Sequence, residues 1–181
     1  PQWVDIHLYG SFAKTYKGHG TDVAIIGGIL DFETDDERII RAIEIAEADG
    51  MKIRFIEEEA VPDHPNTAKI RMGDDDGEME MVGISIGGGK IEIIELNGFV
   101  LKLSGQHPAI LVEHTDKFGA IANVATVLAK HEINIGHMEV SRKEMGQRAL
   151  MTIEVDQNIE DSILDEIGKL PSILGVTKIV D

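Results

Sequence analysis

The 181-residue sequence predicts an α+β fold built from two domains, residues 1–105 and 106–181. Three observations carry this prediction. Short apolar runs typical of strands recur along the whole chain, and apolar residues at helical spacing occur in both halves. Between the halves, Gln106–Pro108 interrupts the pattern but is too short to act as a long linker, so we expect the two domains to touch.

The elements of residues 106–181 follow the order strand, helix, strand, strand, helix, strand. Apolar residues at i, i+3, i+4 and i+7, from Ile121 to Leu128, indicate the first helix. The two middle strands alternate as a half-buried hairpin does. This order is the ferredoxin-like split βαβ arrangement. The predicted elements are Ala109–Glu113, Ile121–Leu128, His137–Ser141, Met151–Val155, Glu160–Leu170 and Val176–Val180.

Residues 1–105 predict a further α+β domain. Regularly spaced isoleucines indicate a helix over Glu37–Asp49, which Gly50 ends. Asn97–Gly98 predicts a tight hairpin turn between two strands. The predicted strands are Val4–Tyr9, Lys52–Glu58, Thr67–Met72, Met79–Ile86, Lys90–Leu96 and Val100–Leu103.

The composition excludes several classes of protein. The 33 acidic residues exceed the 17 basic ones by 16, and no basic stretch could hold a phosphate backbone, so we expect no nucleic-acid partner. The longest apolar run, Val23–Leu30, is far too short to span a membrane. Without a single cysteine, the chain cannot supply a disulfide or the thiolates of an iron–sulfur cluster. The first residues lack the pattern of a signal peptide, which predicts a cytoplasmic location.

Tyr9–Asp22 is the segment richest in small and polar residues. Glycines flank His19, and Thr21 and Asp22 are suited to cap a helix over Val23–Leu30 whose free N–H groups could receive a carboxylate. Taken by themselves, these residues favour a flexible loop followed by a capped helix.

Two further segments have an ordinary structural interpretation beside a functional one. The segment from His64 to Thr67 is a turn by its residue types, and a binding role requires His64 and Asn66 to converge on His19. Gly87–Gly89 with Lys90 lacks the spacing of a phosphate-binding loop and predicts a hairpin turn. The seven histidines have no metal-ligand spacing, and no Ser–His–Asp arrangement indicates a hydrolase.

Three stretches together resemble one family. They are LYGSFAKTYKGHGTDVAIIGG (8–28), HPNTAKI (64–70) and GISIGGGKIEIIELNG (83–98), and they are similar to the β subunits of bacterial iron–sulfur-dependent L-serine dehydratases. The resemblance implies an allosteric substrate-binding-type domain in residues 1–105, a fold shared with the regulatory part of some phosphoglycerate dehydrogenases. It implies an ACT domain in residues 106–181, in agreement with the predicted strand and helix order.

The resemblance further implies a lyase subunit that takes part in converting L-serine to pyruvate and ammonia. In the two-chain form of the enzyme, the α subunit ligates a [4Fe–4S] cluster, so this chain is expected to bind no cluster and to be inactive alone. The sequence begins at Pro1, after the Ser- and His-rich start of the family's β chains, and is expected to be an N-terminally truncated β chain. The alternative is a non-catalytic amino-acid-binding module of the phosphoglycerate dehydrogenase type.

The resemblance also assigns candidate residues to three sites. A catalytic role falls on His19, Thr21 and Asp22, and substrate binding on Ser11, Lys14, His64 and Asn66. Effector binding, with L-serine as the first candidate, falls on His114, Asp116, Gly119 and Asn134. Asp116 stands where the family usually has Asn, and Phe118 where it has Pro. Because a four-stranded sheet leaves one face bare and its edges exposed, we expect a homodimer through the ACT half that completes the effector site.

Overall fold

The computed structural model describes residues 1–179, which form two compact units divided between Gly89 and Lys90. The elements of the first unit are β1 (Trp3–Leu8), α1 (Gly10–His19), α2 (Thr21–Ile29), a 3₁₀ segment (Glu37–Arg41), α3 (Ala42–Ala48), β2 (Lys52–Glu57), β3 (Thr67–Gly73) and β4 (Glu78–Gly87). Those of the second are β5 (Lys90–Leu96), β6 (Phe99–Leu103), β7 (Ala109–Thr115), α4 (Ala120–Lys130), β8 (Ile135–Arg142), β9 (Arg148–Val155), α5 (Asp161–Gly168) and β10 (Ile173–Ile179). Val180, the predicted end of the last strand, lies outside the described residues.

The first unit contains a sheet in the order β2-β1-β3-β4, with β1 and β2 parallel and the other pairs antiparallel. Val4, Ile6 and Leu8 alternate onto one face of β1, where they are fully buried in a cluster with residues of α1, α2 and α3. Charged residues take the other face. Asp5 lies opposite Arg54 on β2 and Arg71 on β3, so ion pairs occupy the face that the helices leave uncovered.

The second unit contains an antiparallel sheet in the order β10-β7-β9-β8, with α4 and α5 packed on one face. The core between them includes Val112 of β7, Val124 of α4, Ile153 of β9 and Ile167 of α5. The order strand, helix, strand, strand, helix, strand confirms the predicted ferredoxin-like fold. Periodicity sufficed for the two helices, whose buried residues share one face. The central strands β7 and β9 are instead buried on both faces.

The other face of this sheet is covered, contrary to the expectation of a bare face. Phe99, Leu101 and Leu103 of β6 are buried in a cluster with Leu111 of β7 and Leu150 of β9. The β5–β6 turn is the predicted hairpin turn, with positive φ angles of 48° at Asn97 and 76° at Gly98. By its packing this hairpin belongs to the second unit, and the domain boundary after residue 105 stays a prediction.

Two predictions for the first unit are wrong. The predicted flexible loop Tyr9–Asp22 is mostly the helix α1, because Phe12 and Ala13 pack against the core and Tyr16 is buried in it. The predicted helix over Glu37–Asp49 is split into the 3₁₀ segment and α3, although Gly50, with a φ of +88°, does follow its end. Within residues 1–179 no helix is both long and apolar enough to cross a membrane.

Candidate functional site

The joint between α1 and α2 carries the three predicted catalytic residues. His19 is the last residue of α1, and its exposed ring has no hydrogen-bond partner among residues 1–179. Gly20, with a φ of +69°, ends α1 and stands before the first residue of α2, Thr21. The predicted side-chain cap is therefore wrong: Asp22 lies inside the helix, where its carboxylate accepts the N–H of Val23 at 2.9 Å.

Ser11 lies at the opposite end of α1, next to the turn before β3 that contains His64 and Asn66. The N–H of Ser11 donates to the carbonyl of Pro65 at 2.7 Å, which seats the turn from His64 to Thr67 against the start of the helix. His64 Nδ1 accepts the N–H of Asn66 at 3.2 Å, so this ring holds the turn. Gly10, at a φ of +54°, allows the approach, since a Cβ there would lie 2.6 Å from the Pro65 carbonyl oxygen.

The structure therefore separates two groups of predicted site residues. His19 lies eight positions after Ser11 along the helix, a rise of about 12 Å at 1.5 Å per residue. His64 and Asn66 do not converge on His19 within this chain. The condition that the sequence set for one joint binding site is not met, because α1 replaces the expected loop.

A cavity of about 770 Å³ runs along α1 between the two groups. Lys14, a predicted substrate residue, lines it together with Lys17 and the acidic residues Glu57–Glu59. The Glu58 carboxylate accepts a hydrogen bond from His7 Nδ1 at 2.6 Å. Burial, and secondarily Glu58, raises the pKa of Tyr9. Lys17 and Glu58 were not predicted as site residues. Lys17 lies three residues after Lys14, a helical spacing that is visible once α1 is known, whereas Glu58 directly follows β2 and had no such signal.

His114 lies at the end of β7 and is only 2% exposed. Its Nδ1–H donates to the carbonyl of Thr115 at 2.9 Å, so in the neutral ring Nε2 is the hydrogen-bond acceptor. Nε2 is buried and has no partner within the described part of the chain. A buried acceptor without a donor is costly, which makes this nitrogen a candidate contact for a ligand.

Asp116 follows on the loop before α4, and its carboxylate is already engaged. It accepts the guanidinium of Arg142 at 3.0 Å and the N–H of Gly146 at 3.1 Å. These two bonds, that of Gly146 first, lower the pKa of Asp116. The loop ends at Gly119, whose φ of +86° precedes the first turn of α4, and Phe118 beside it is fully exposed.

Asn134, the fourth predicted effector residue, lies at the far end of the same sheet. Its side chain donates to Asp156 and its backbone N–H donates to Gln157 at 2.8 Å. The ladder between β8 and β9 separates the two ends by about 20 Å at 3.4 Å per residue. Within one chain, Asn134 and the His114–Gly119 loop do not form one site.

Among residues 1–179 no group of three or more His, Cys, Asp or Glu side chains could hold a metal ion. The sequence contains no cysteine either. The donor set of this chain therefore does not fit an iron–sulfur cluster, and no chemical step is derived through one.

Comparison with known proteins identifies the family. The family described as "Serine dehydratase beta chain" matches residues 1–95, and the family described as "ACT domain" matches residues 109–172. The "Probable L-serine dehydratase, beta chain" of Bacillus subtilis (strain 168) is 70% identical over 181 residues, covering 100% of this chain and 82% of that protein. The chain belongs to the serine dehydratase beta chain family. The resemblance found in the sequence is thus confirmed for both parts.

More distant relatives and a solved structure also match this chain. The "L-serine dehydratase, beta chain" of Peptoniphilus asaccharolyticus is 37% identical over 166 residues, covering 91% of this chain and 75% of that protein. The D-3-phosphoglycerate dehydrogenase of Bacillus subtilis is 27% identical over 181 residues, but only 34% of it is covered. The solved ACT domain of a Chlorobium tepidum GTP pyrophosphokinase covers 39% of this chain and 94% of its own, with a TM-score of 0.33 and 19% identity. Membership of the serine dehydratase beta chain family rests on the family match over residues 1–95 and on the two beta chains.

Proposed function

We propose that this chain is the β chain of a two-chain L-serine dehydratase, which converts L-serine to pyruvate and ammonia together with an α chain. The observation that carries the proposal is the 70% identity to a relative named as such a β chain, extending over both units. In this proposal a [4Fe–4S] cluster belongs to the α chain and supplies Lewis-acid chemistry there, since this chain has no cysteine to ligate it.

We propose that His19 is the residue of this chain that takes part in proton transfer. Its ring is exposed at the end of α1 and has no hydrogen-bond partner within residues 1–179, and an imidazole is the side chain most often used for proton transfer. Thr21 and Asp22 stand in the first turn of α2 next to it. Their proposed role is to orient His19 and the substrate when the α chain covers the connection between α1 and α2.

Ser11, Lys14, His64 and Asn66 remain substrate-side residues in this proposal. Because they lie along α1 and at its other end, the substrate cleft of the assembled enzyme has to extend along this helix. His64 acts there through the turn that it holds, and Lys14 offers an ammonium group toward the serine carboxylate.

Effector binding is proposed to require a second copy. In the sheet of the second unit β8 is an edge strand, and two copies can pair there antiparallel about a twofold axis at Met138. This register sets His137 opposite the partner copy's Glu139, whereas an axis at Glu139 would oppose like charges. It also brings Asn134 of one copy beside Arg142 of the other, the residue that holds Asp116. The separated effector residues then meet across the interface.

The test is to produce this chain with a cysteine-bearing α chain and to assay pyruvate from L-serine under anaerobic conditions. We expect activity, with iron and sulfide in the pair and none in this chain alone. Replacing His19→Ala should lower turnover by about two orders of magnitude, the range for loss of a general acid–base group. His107→Ala, on an exposed histidine, is the matched control. An active pair in which His19→Ala turns over normally would refute the role of His19, and stoichiometric iron on the isolated chain would refute the assignment of the cluster.

A further inference from the structure

A cavity of about 540 Å³ lies on the sheet face opposite α4 and α5, next to the β5–β6 turn. Neither the proposed reaction nor the β8-edge dimer uses it. We infer that this cavity binds an α-amino acid with an apolar side chain, at a site separate from the Asp116–Gly119 loop. The inference goes beyond the proposed function and does not depend on it.

The floor of the cavity is apolar and preformed. Leu96 and Phe99 line it from the hairpin, and Leu111 and Leu150 line it from the sheet. Three of these side chains belong to the buried cluster between hairpin and sheet, so the floor exists before any ligand arrives. The volume lies in the range of small-molecule sites, about 300–1,000 Å³. An apolar ligand side chain gains free energy by covering this floor, which the hydroxymethyl group of serine cannot do.

Lys143 provides a positive charge at the rim. Its ammonium donates to the carbonyl of Asn97 at 2.8 Å and lies 4.9 Å from the centroid of the Phe99 ring. Gly98 leaves the space for it, since a Cβ there would lie 2.7 Å from Lys143 Nζ. Within residues 1–179 no carboxylate pairs with this ammonium, so a ligand carboxylate can take that place.

Carboxylates on the same rim favour a ligand that also carries a positive charge. Glu113 pairs with Arg148, while Glu144, next to Lys143 in the turn after β8, forms no ion pair among the described residues. A zwitterion supplies an ammonium for Glu144 and a carboxylate for Lys143. A fatty acid would leave the negative charge of Glu144 unpaired, and a nucleotide would bring phosphates against both glutamates. An apolar α-amino acid matches the floor and both charges.

The turn that follows β8 connects this cavity to the effector loop. Residues 143–147 line the cavity through Lys143, Glu144 and Gln147. On its other side the same turn is held by Asp116, which accepts the N–H of Gly146 and donates its own N–H to the carbonyl of Gln147 at 2.7 Å. A ligand in the cavity therefore contacts the segment that positions Asp116, and we expect the two sites to be coupled.

The experiment titrates the full chain with L-leucine and with L-phenylalanine, by calorimetry and by NMR shift mapping, with L-serine for comparison. We expect saturable binding of at least one apolar amino acid, with shifts at the cavity. Lys143→Gln should weaken it about tenfold or more, as loss of a charge-assisted hydrogen bond does. Thr177→Leu, which narrows the cavity, should weaken it as well. Lys169→Gln, on an exposed lysine outside the cavity, should leave it unchanged.

Thermal unfolding of each variant establishes that it is folded, so that lost binding is not mistaken for lost structure. Absence of saturable binding by either apolar amino acid up to about 10 mM, far weaker than an ordinary effector site, would overturn the inference. Unchanged affinity in both folded variants would overturn it too. So would leucine binding that L-serine displaces and Asn134→Ala abolishes, since the ligand would then occupy the effector site. None of these outcomes involves the dehydratase activity, so failure here is distinguishable from failure of the proposed function.

Discussion

Asp5 is the buried charged residue on the ion-paired face of the first unit, with 5% of its surface exposed. The guanidinium of Arg54 donates to both of its carboxylate oxygens, and Arg71 lies opposite it on β3. The hydrogen bonds from Arg54 lower the pKa of Asp5, although burial opposes them. The folded state therefore favours the ionised carboxylate.

Replacing Asp5→Asn should destabilise the chain by about 1–3 kcal/mol at pH 7, the usual cost of losing a hydrogen bond to a charged group. Because the folded-state pKa is lowered, the wild-type advantage is fully present above the unfolded value of about 3.9. It is lost as the pH falls through the lower folded-state value. Urea unfolding at pH 7, 5 and 3 measures both proteins, with the exposed Asp49→Asn as control. An advantage that stays constant down to pH 3 would contradict this account.

Thr152 carries a buried hydroxyl that no group in the described part of the chain satisfies. It is 1% exposed on β9, opposite Leu111 of β7. Thr152→Val keeps the shape and removes the unpaired polar atom, so we expect it to stabilise the chain by about 1 kcal/mol. Chemical denaturation gives the difference. Thr126→Val, on an exposed hydroxyl that donates to the Ala122 carbonyl, serves as the comparison and should not stabilise. A destabilised Thr152→Val would mean that this hydroxyl has a partner in solution.

At the scale of elements, the β5–β6 hairpin is the part that local pattern explains least. Phe99, Leu101 and Leu103 bury one side of β6 against the sheet. Two backbone N–H groups of this segment reach carboxylates of that sheet: Lys102 donates to Glu139, and Ser104 donates to Glu154 at 3.1 Å. The hairpin is therefore held to the sheet by apolar burial and by hydrogen bonds that leave fewer of its backbone groups unpaired.

This packing leads to a prediction about the domain boundary. A fragment of residues 90–181 keeps the hairpin, whereas a fragment of residues 106–181 exposes Leu111 and Leu150. Burial of each large apolar side chain contributes about 1.5–3 kcal/mol, so the shorter fragment should be less stable by several kcal/mol and prone to aggregate. Calorimetry and light scattering on both fragments test this. Equal stability of the two would support a boundary after residue 105.

At the scale of the whole molecule, the net charge and the β8 edge strand both affect how two copies of the chain can form a homodimer. The net charge of −16 makes non-specific association between copies unfavourable, so a homodimer needs a specific and complementary contact. The proposed pairing about Met138 provides such a contact. It places His137 of each copy opposite Glu139 of the other, so the contact occurs twice.

His137→Glu would replace each of these contacts by two like charges, and like charges directly opposite in a sheet are destabilising. We expect the dimer dissociation constant to rise about tenfold or more, since two contacts change at once. Sedimentation velocity over a concentration series measures it. His107→Glu adds the same charge outside β8 and should leave the dimer intact. A dimer unaffected by His137→Glu would place the interface elsewhere.

The sequence predicted the second unit almost element by element, because its helices each have one apolar side and its strands are short apolar runs bounded by turn residues. It also predicted the turn at Asn97–Gly98, where backbone preference is local. It did not predict α1, since the glycines around His19 resemble a loop and the packing of Tyr16 depends on distant residues.

The sequence by itself therefore determined the fold class, the ferredoxin-like half and the family, which rest on local periodicity and on residue identity. The tertiary structure alone decided how the candidate residues are grouped. It separated His19 from His64 by the length of α1 and engaged Asp116 with Arg142. It also covered the sheet face with Phe99 and its neighbours, which created the second cavity. These arrangements depend on contacts between residues far apart in the chain, and no local pattern encodes such contacts.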